Sequence, residues 1–545
     1  MLFAAEGTAP LAAWTGYAIM LAQAVIYTLL VLYLGRTKGK TADSFISGGR
    51  NIGHGMIHAS VIATWIWAAT LMISSWTGYS YGVSGGWWYG LGATIPLPLM
   101  AYICRRCRVD MPTHRSYPEY MYFRLDRKNQ IAQAIITIVV CGWVTLMLVT
   151  GGAVMLVAFT GGNFYYLAAI MVIIFVTYIS VAGLWASIFA DTLMALVMFA
   201  AIFVLTGATF LGLGAGVGAG NYWDGLYNAM ASHPILQPDK DLAVWESQWD
   251  GLNWLNAAGI GFLIVNTIGN LGAVLCNQTY WSRGIGSDNP RNIFKSFWTG
   301  AWGWYPIPLA MTTALGLGAL AKGLVVGEVY FSPVSNTAIT FTEAEAAAPV
   351  VAFLSTGYLG LALFIIAVTG ATVSTGAGEI LSTASVFAND IYKGWLKPDA
   401  TSKQIVAVNR LMLYVVAAVL LGIAIWWRVI GFSFSGMYQA MGVAFSSAVI
   451  PMWMAIFYRT TNRDGVFWGT IIGGAVGIYY WVAVANYDLL WGVVWANVIV
   501  MGVSALIAIP WTIIKPQPFD YRTLHDAGYP YEEVSIASGI GHHDE

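Results

Sequence analysis

The sequence predicts an all-α polytopic membrane protein with about 13 transmembrane helices, and three observations carry that prediction. Hydrophobic residues make up 58% of the chain and charged residues only 9%, against roughly a quarter charged in soluble domains. Apolar runs of about 20 residues, the length that crosses a ~30 Å hydrocarbon layer, recur from end to end. Lysine and arginine collect in alternate connections between those runs, as positive charge retained on the cytoplasmic side requires.

Apolar runs bounded by charges, Gly, Pro and Asn place spans near 14–34, 54–77, 86–104, 130–158, 163–183, 188–214, 254–280, 296–321, 349–389, 404–427, 431–457, 465–486 and 490–514. No small-residue cleavage site follows the first run, so it reads as a retained helix rather than a signal peptide. With the N-terminus outside, the inside connections hold all of the 25 basic residues except Lys240, Lys322 and Arg428. The dense set is Arg105, Arg106, Arg108, Arg115, Arg124, Arg127 and Lys128, and Arg283, Arg291 and Lys295 lie in a later inside connection. The two long outside loops, 215–253 and 322–348, are acidic or neutral. The C-terminus is then cytoplasmic, in a multi-pass protein of the cell (inner) membrane whose solvent is the lipid bilayer.

Other classes find little support. A net charge of −1 gives no field for nucleic acid. Cys104, Cys107, Cys141 and Cys276 are too scattered for a disulfide framework, and the C-x-x-C formed by Cys104 and Cys107 lacks the second ligand pair of a zinc site. No H-E-x-x-H or nucleophile–base cluster points to an enzyme, and His542-His543 reads as a solvated end. No obligate protein partner is evident.

Polar groups within spans are costly in lipid and mark the functional positions. The ninth span carries Thr372, Ser374, Thr375, Glu379, Ser382, Thr383, Ser385, Asn389 and Asp390. A hard alkali cation needs oxygen ligands, which adjacent hydroxyls and freed carbonyls supply, so Ser374 and Thr375 suit Na⁺. Gly376, Ala377 and Gly378 fit close helix packing better than a site. Glu379, one turn beyond Thr375, suits a proton acceptor, a partner to the cation's ligands or half of an ion pair. Asp191 is a second intramembrane acid, with a helix N-cap as the plainer account. In the seventh span Asn266, Asn270, Asn277 and Gln278 alternate with Gly269 and Gly272, which suits either a helix broken at a cavity or packing asparagines. Trp65 and Trp67 offer flat faces to a small planar solute or to the core. With no Arg or Lys inside a span, an anionic solute is disfavoured.

Several segments resemble one family. "ADSFISGGRNIG" at the cytoplasmic entry, "SYPEYMYFR" at 116–124, "AGLWASIFADTLMA", "NQTYWSRGIGS" and "ATVSTGAGEILSTASVFANDIYK" resemble, in order, motifs of the sodium:solute symporters. Within that family "WIWAATLMISSW", "YGVSGGWWYGLGAT" and "STGAGE" are similar to the urea/polyamine active transporter branch.

The resemblance implies a leucine-transporter-type inverted repeat (5+5 core) with broken first and sixth core helices. The parts would be 1–53, an outer tail, first span and cytoplasmic linker; 54–214, the first five-helix repeat; 215–253, an outer loop; 254–457, the second repeat; 458–514, two peripheral spans; and 515–545, a cytoplasmic tail. It implies an Na⁺ site from the carbonyls of Ala59, Ile62 and Ala371 with the hydroxyls of Ser374 and Thr375. Asp191 matches the family acid, but Met194 and Ala190 stand where the family has Gln and Thr, which puts a second cation site there in doubt. Ile66 replaces a sugar-contacting Gln. The function implied is symport of a small polar solute, urea above all, with Trp65, Trp67, Asn266, Asn270 and Gln278 contacting it and Asp191 and Glu379 coupling or gating. H⁺ in place of Na⁺, a polyamine, amino acid or short carboxylate in place of urea, and a passive channel stay open.

Overall fold

A computed structural model describes residues 9–210 and 253–531. The acidic segment from Asp224 to Asp250 and the His542-His543 pair lie outside the described residues. Helices dominate because a backbone in lipid must satisfy its own polar groups. Side-chain caps close many helix ends. Asp126 accepts the amide of Asn129 before helix 127–160, Asn256 that of Gly259 before 257–275, and Asn289 that of Asn292 before 290–304.

In chain order, α1 is Ala13–Leu34, α2 Ala42–Ser47, α3 His54–Trp65, α4 Ala68–Thr94, α5 Pro96–Asp110, α6 Tyr117–Arg124, α7 Arg127–Thr160, α8 Phe164–Ala182 and α9 Leu184–Phe210. After the break in description come α10 Ala257–Leu275, α11 Gln278–Gly286, α12 Pro290–Trp304, α13 Pro306–Met311 and α14 Leu317–Ala321. A small antiparallel hairpin, β1 Val329–Phe331 with β2 Ala338–Thr340, pairs Tyr330 with Ile339. The chain ends with α15 Ala347–Val386, α16 Ser402–Ile430, α17 Phe434–Phe445, α18 Val449–Phe457, α19 Arg463–Tyr479 and α20 Trp491–Ile514.

Among the described residues, 10 helices are long and apolar enough to cross a membrane, or 11 if the bent pair His54–Trp65 and Ala68–Asp110 is one span. The expected count of 13 is not established by this measure. Two regions account for the difference. The expected spans 54–77 and 86–104 fall within the single bent pair, which turns again at Gly82, where φ is +67° and only glycine sits without strain. The expected span 296–321 is divided by Pro306 and by a wide helical turn at Thr312–Gly316.

The two interrupted helices define the centre. Between α3 and α4, Ile66 and Trp67 leave helical geometry and the axis bends by 48°. Between α10 and α11, Cys276 and Asn277 do the same. The carbonyls freed at both breaks have partners. Thr64 C=O accepts from Thr375 Oγ1 at 3.2 Å and Tyr280 Oη at 3.3 Å, Trp65 C=O from Thr70 Oγ1 at 2.9 Å, and Cys276 C=O from Thr137 Oγ1 at 3.0 Å. α15 packs against α7, α8 and α9 and also touches α3 and α11, so its polar face lies against both breaks.

Candidate functional site

The centre of the molecule is an ion pair. Asp191 lies two turns inside α9, which begins at Leu184, so it is not the helix cap that remained possible from sequence. Its Oδ2 accepts from Arg283 Nη2 at 2.8 Å, Ser60 Oγ at 2.6 Å and Thr64 Oγ1 at 3.3 Å. Its Oδ1 accepts from Ser374 Oγ at 2.5 Å. The Arg283 guanidinium also donates to Ser60 Oγ, to the Thr279 carbonyl at 2.8 Å and to Ser187 Oγ at 3.3 Å.

Arg283 therefore corrects the sequence reading twice. It stands in the core rather than in a basic loop, and it places a cation within the bundle, although one already matched by Asp191. Gly378 makes room for it, since a Cβ there would lie 3.0 Å from Nη2. Gly376 serves packing, with its missing Cβ taken up by the Phe175 ring.

Ser374 and Thr375, the hydroxyls expected to hold Na⁺, are both fully buried. Each donates its hydrogen away, Ser374 to Asp191 and Thr375 to the Thr64 carbonyl, which leaves oxygen lone pairs for a hard cation. Ala59 and Ile62 lie on α3 and Ala371 on α15, two helices that pack against each other; the Ile62 carbonyl also accepts the Ile66 amide at 3.0 Å. This all-oxygen set has the chemistry Na⁺ prefers.

One turn along α15, Glu379 is buried, and among the described residues no cation is bonded to it. Its Oε1 accepts from Asn277 Nδ2 at 2.9 Å, while Oε2 has no hydrogen-bond partner. Asn277 is itself positioned by Cys141 Sγ at 3.3 Å and by capping the Thr279 amide.

On the other side of the α3–α4 break lies a tight cavity lined by Trp65, Trp67, Thr70, Tyr89, Ala93, Asn270, Trp304 and Tyr438. Ring contacts hold its walls: Trp65 meets Trp67 edge-on at 4.9 Å, and Tyr89 stacks on Tyr438 at 5.7 Å. Trp304 Nε1 is buried and has no hydrogen-bond partner. A second cleft, beside Phe262, Trp491 and Val494, is walled chiefly by apolar groups and lacks convergent polar ones.

Of the expected solute contacts, Trp65, Trp67 and Asn270 line the cavity. Asn266 stands behind it, accepting from Tyr438 Oη at 2.6 Å and donating to the Tyr89 carbonyl at 2.8 Å. Gln278 does not reach it. Its amide is taken up by the Tyr117 N–H at 2.8 Å and the Arg115 carbonyl at 3.0 Å, because it follows the α10–α11 break and points toward the loop before α6. Sequence reasoning does not single out Tyr89, Trp304 and Tyr438, since Tyr89 follows Trp87 and Trp88 like an interfacial belt residue and aromatics in apolar runs look like core. Cys104 and Cys107 are both buried and free, and no group of His, Cys, Asp and Glu among the described residues could hold a metal ion.

A bundle built on two broken helices, with a buried polar helix face beside an aromatic-lined cavity, is the architecture of a secondary active transporter. The chain belongs to the sodium:solute symporter family, whose sequence model matches residues 45–473. It is 27% identical to the urea-proton symporter DUR3 of Oryza sativa subsp. japonica, over 96% of this chain and 74% of that one. It is 24% identical to the urea active transporter of Saccharomyces cerevisiae, over 95% and 71%, and 22% identical to the sodium/proline symporter of Haemophilus influenzae, over 93% and 96%. A Na⁺-coupled sialic acid symporter solved in a substrate-bound outward-open state shares the fold, with a TM-score of 0.71 at 18% identity over 92% of this chain and 99% of that one. The protein is a multi-pass membrane transporter coupled to a cation, and not an enzyme.

Proposed function

We propose that this protein accumulates urea by cation symport, with the N-terminus outside and the C-terminus cytoplasmic, and with repeats 54–214 and 254–457 framing the path. The observation that carries the choice of solute is the aromatic cavity at the α3–α4 break, with Asn270 on one wall and the unpartnered Trp304 N–H on another. Urea is planar and neutral, and its carbonyl is a strong acceptor for a buried indole N–H. The relatives named as urea transporters support the same reading.

Na⁺ is the favoured coupling ion, held by Ala59, Ile62 and Ala371 carbonyls with Ser374 and Thr375. An ion there would tie α15 to the lower half of the broken span and favour the arrangement in which the solute cavity forms, so each ligand would tighten binding of the other. H⁺ is the second reading. It is favoured by Glu379, a carboxyl with one amide donor, one bare oxygen and no bonded cation.

The deciding experiment is uptake of radiolabelled urea by the purified protein in liposomes under separately imposed Na⁺ and pH gradients. Accumulation above equilibrium under a Na⁺ gradient alone supports the first reading, and under a pH gradient alone the second. Uptake that never exceeds equilibrium under either would mean a passive channel.

A further inference from the structure

The segment after α20 does not hang free. Leu524 is fully buried, and the Ala527 carbonyl accepts from Thr113 Oγ1 at 2.8 Å. The Tyr529 amide donates to Glu119 Oε1 at 3.1 Å, and the Tyr529 hydroxyl accepts from Gln130 Nε2 at 2.6 Å. Tyr531 donates to Asn389 Oδ1 at 2.6 Å, while the Arg115 guanidinium lies 3.5 Å from its ring centre. Arg115 is held from its other side by Asp43 of α2 at 3.1 Å.

These contacts join two parts of the molecule that nothing covalent holds together locally. One is the stretch from Thr113 through α6 to the start of α7, and the other is the end of α15. Asn389 closes the joint, donating to Glu119 Oε2 at 3.1 Å and Ser116 Oγ at 3.2 Å while receiving Tyr531.

Asn389 is also the last member of a polar row. Thr375, Glu379 and Ser382 recur at spacings of 4 and 3 along α15, hence on one face, and Asn389 follows in the wide helical turns of Phe387–Leu396; all are buried. At 1.5 Å per residue in α15, and less in the wide turns that follow, the row runs roughly 20 Å from the Thr375 hydroxyl to the strap. α11 accompanies it, with Asn277 on Glu379 and Thr279 Oγ1 donating to Ser382 Oγ at 2.8 Å. A row of polar side chains from the site to the cytoplasmic end of α15 is costly in a membrane bundle, which marks it as a candidate route for ion or solute.

We propose that residues 519–531 form a latch over the cytoplasmic end of this route, which must release Asn389 and Arg115 before the site opens inward. The latch is closed in this structure. It goes beyond the choice of urea or coupling ion, and rests only on the transporter fold and on the C-terminus facing the cytoplasm.

Two native thiols report on the route. Cys141 donates to Asn277 beside Glu379 and is fully buried, and Cys276 is its buried neighbour at the α10–α11 break. The test uses the full-length protein in sealed vesicles of known orientation, a membrane-impermeant thiol reagent added to one face at a time, and peptide mass to locate the modified cysteine. Tyr531→Ala removes both the ring on Arg115 and the bond to Asn389; Tyr531→Phe keeps the ring and removes only the hydroxyl. Labelling of Cys141 or Cys276 from the cytoplasmic face is expected to rise about tenfold in Tyr531→Ala and less in Tyr531→Phe, as loss of one to two polar contacts shifts an opening equilibrium. Labelling from the outer face and the Tm should stay at wild-type values. Unchanged cytoplasmic labelling in both variants would overturn the latch. So would a rise from both faces together, or one that follows a fall in Tm, because these mark loosened packing rather than a released gate.

Discussion

Arg283 and Asp191 meet at 2.8 Å with neither side chain exposed, and the serine expected to bind the coupling ion is bonded to the same carboxylate. A resident guanidinium thus neutralises the acid that would otherwise attract a second mobile cation. Removing one partner of a buried pair leaves the other charge unmatched, which typically costs about 3–5 kcal/mol. Arg283→Gln is therefore expected to lower the Tm sharply, and Asp191→Asn with Arg283→Gln together to recover much of the loss. A double-mutant cycle by thermal unfolding in detergent measures this, and strictly additive losses would count against the pair.

The adjacent hydroxyls give the second prediction. Ser374→Ala with Thr375→Ala deletes two of five oxygen ligands in the proposed Na⁺ site. The Na⁺ concentration for half-maximal urea uptake should rise by at least about tenfold, equivalent to ~1.4 kcal/mol. Unaltered sodium dependence in that variant would remove the site from consideration.

Glu379 is tested by a substitution that keeps its shape. Gln at 379 still offers an oxygen to Asn277 but cannot exchange a proton. Should H⁺ drive transport, Glu379→Gln abolishes accumulation under a pH gradient while exchange of labelled for unlabelled urea continues. Accumulation that survives in Glu379→Gln would exclude this carboxyl as the proton carrier.

The cavity predicts a selective loss. Trp304→Phe preserves the ring contact with Trp65 at 5.8 Å but removes the indole N–H. One neutral hydrogen bond is worth about 1 kcal/mol net, so the KM for urea should rise about fivefold with kcat little changed. A KM within experimental error of wild type would place urea's carbonyl elsewhere.

At the cytoplasmic entry, burial works against ionisation of Asp43, but the guanidiniums of Arg50 and Arg115 outweigh it and hold the carboxyl below its ordinary value. A depressed carboxylate stabilises the fold above its unfolded pKa, about 3.9, and that contribution is lost as pH falls through the lower folded value. Docking of α2 should therefore be intact at neutral pH and weaken only in strong acid. Asp43→Asn should weaken it at neutral pH and match wild type in strong acid. Amide hydrogen exchange over residues 42–50 reads both effects, and equal protection in wild type and variant at neutral pH would contradict them.

Much of the architecture is legible in the chain itself. The broken spans are legible because Gly and Asn crowd α10, and because the family motifs fall in order from Ala42 to Lys393. Polarity draws attention to the hydroxyl pair, but its bonds to Asp191 and to the Thr64 carbonyl emerge only when α3, α9 and α15 pack together. The cavity is legible only in part. Asn270 announces itself by polarity, whereas Tyr89, Trp304 and Tyr438 are chemically indistinguishable from packing aromatics until helices from distant parts of the chain converge. Gln278 misleads for the opposite reason, since its polarity is satisfied by backbone near Tyr117.

By itself, the sequence determined that this chain lives in a bilayer as a bundle of helices, because each apolar run interacts with lipid largely independently of the others. It also determined which residues would be expensive there. Only the tertiary structure decided which of those residues meet. Arg283 looks like one more loop cation in the chain, yet packing carries it across 92 positions to Asp191. Tyr531 is an ordinary tail residue until the fold seats it on Arg115. Charge and hydropathy are properties of a segment, whereas a partner is a property of packing, and a buried charge is stable only with its partner in place.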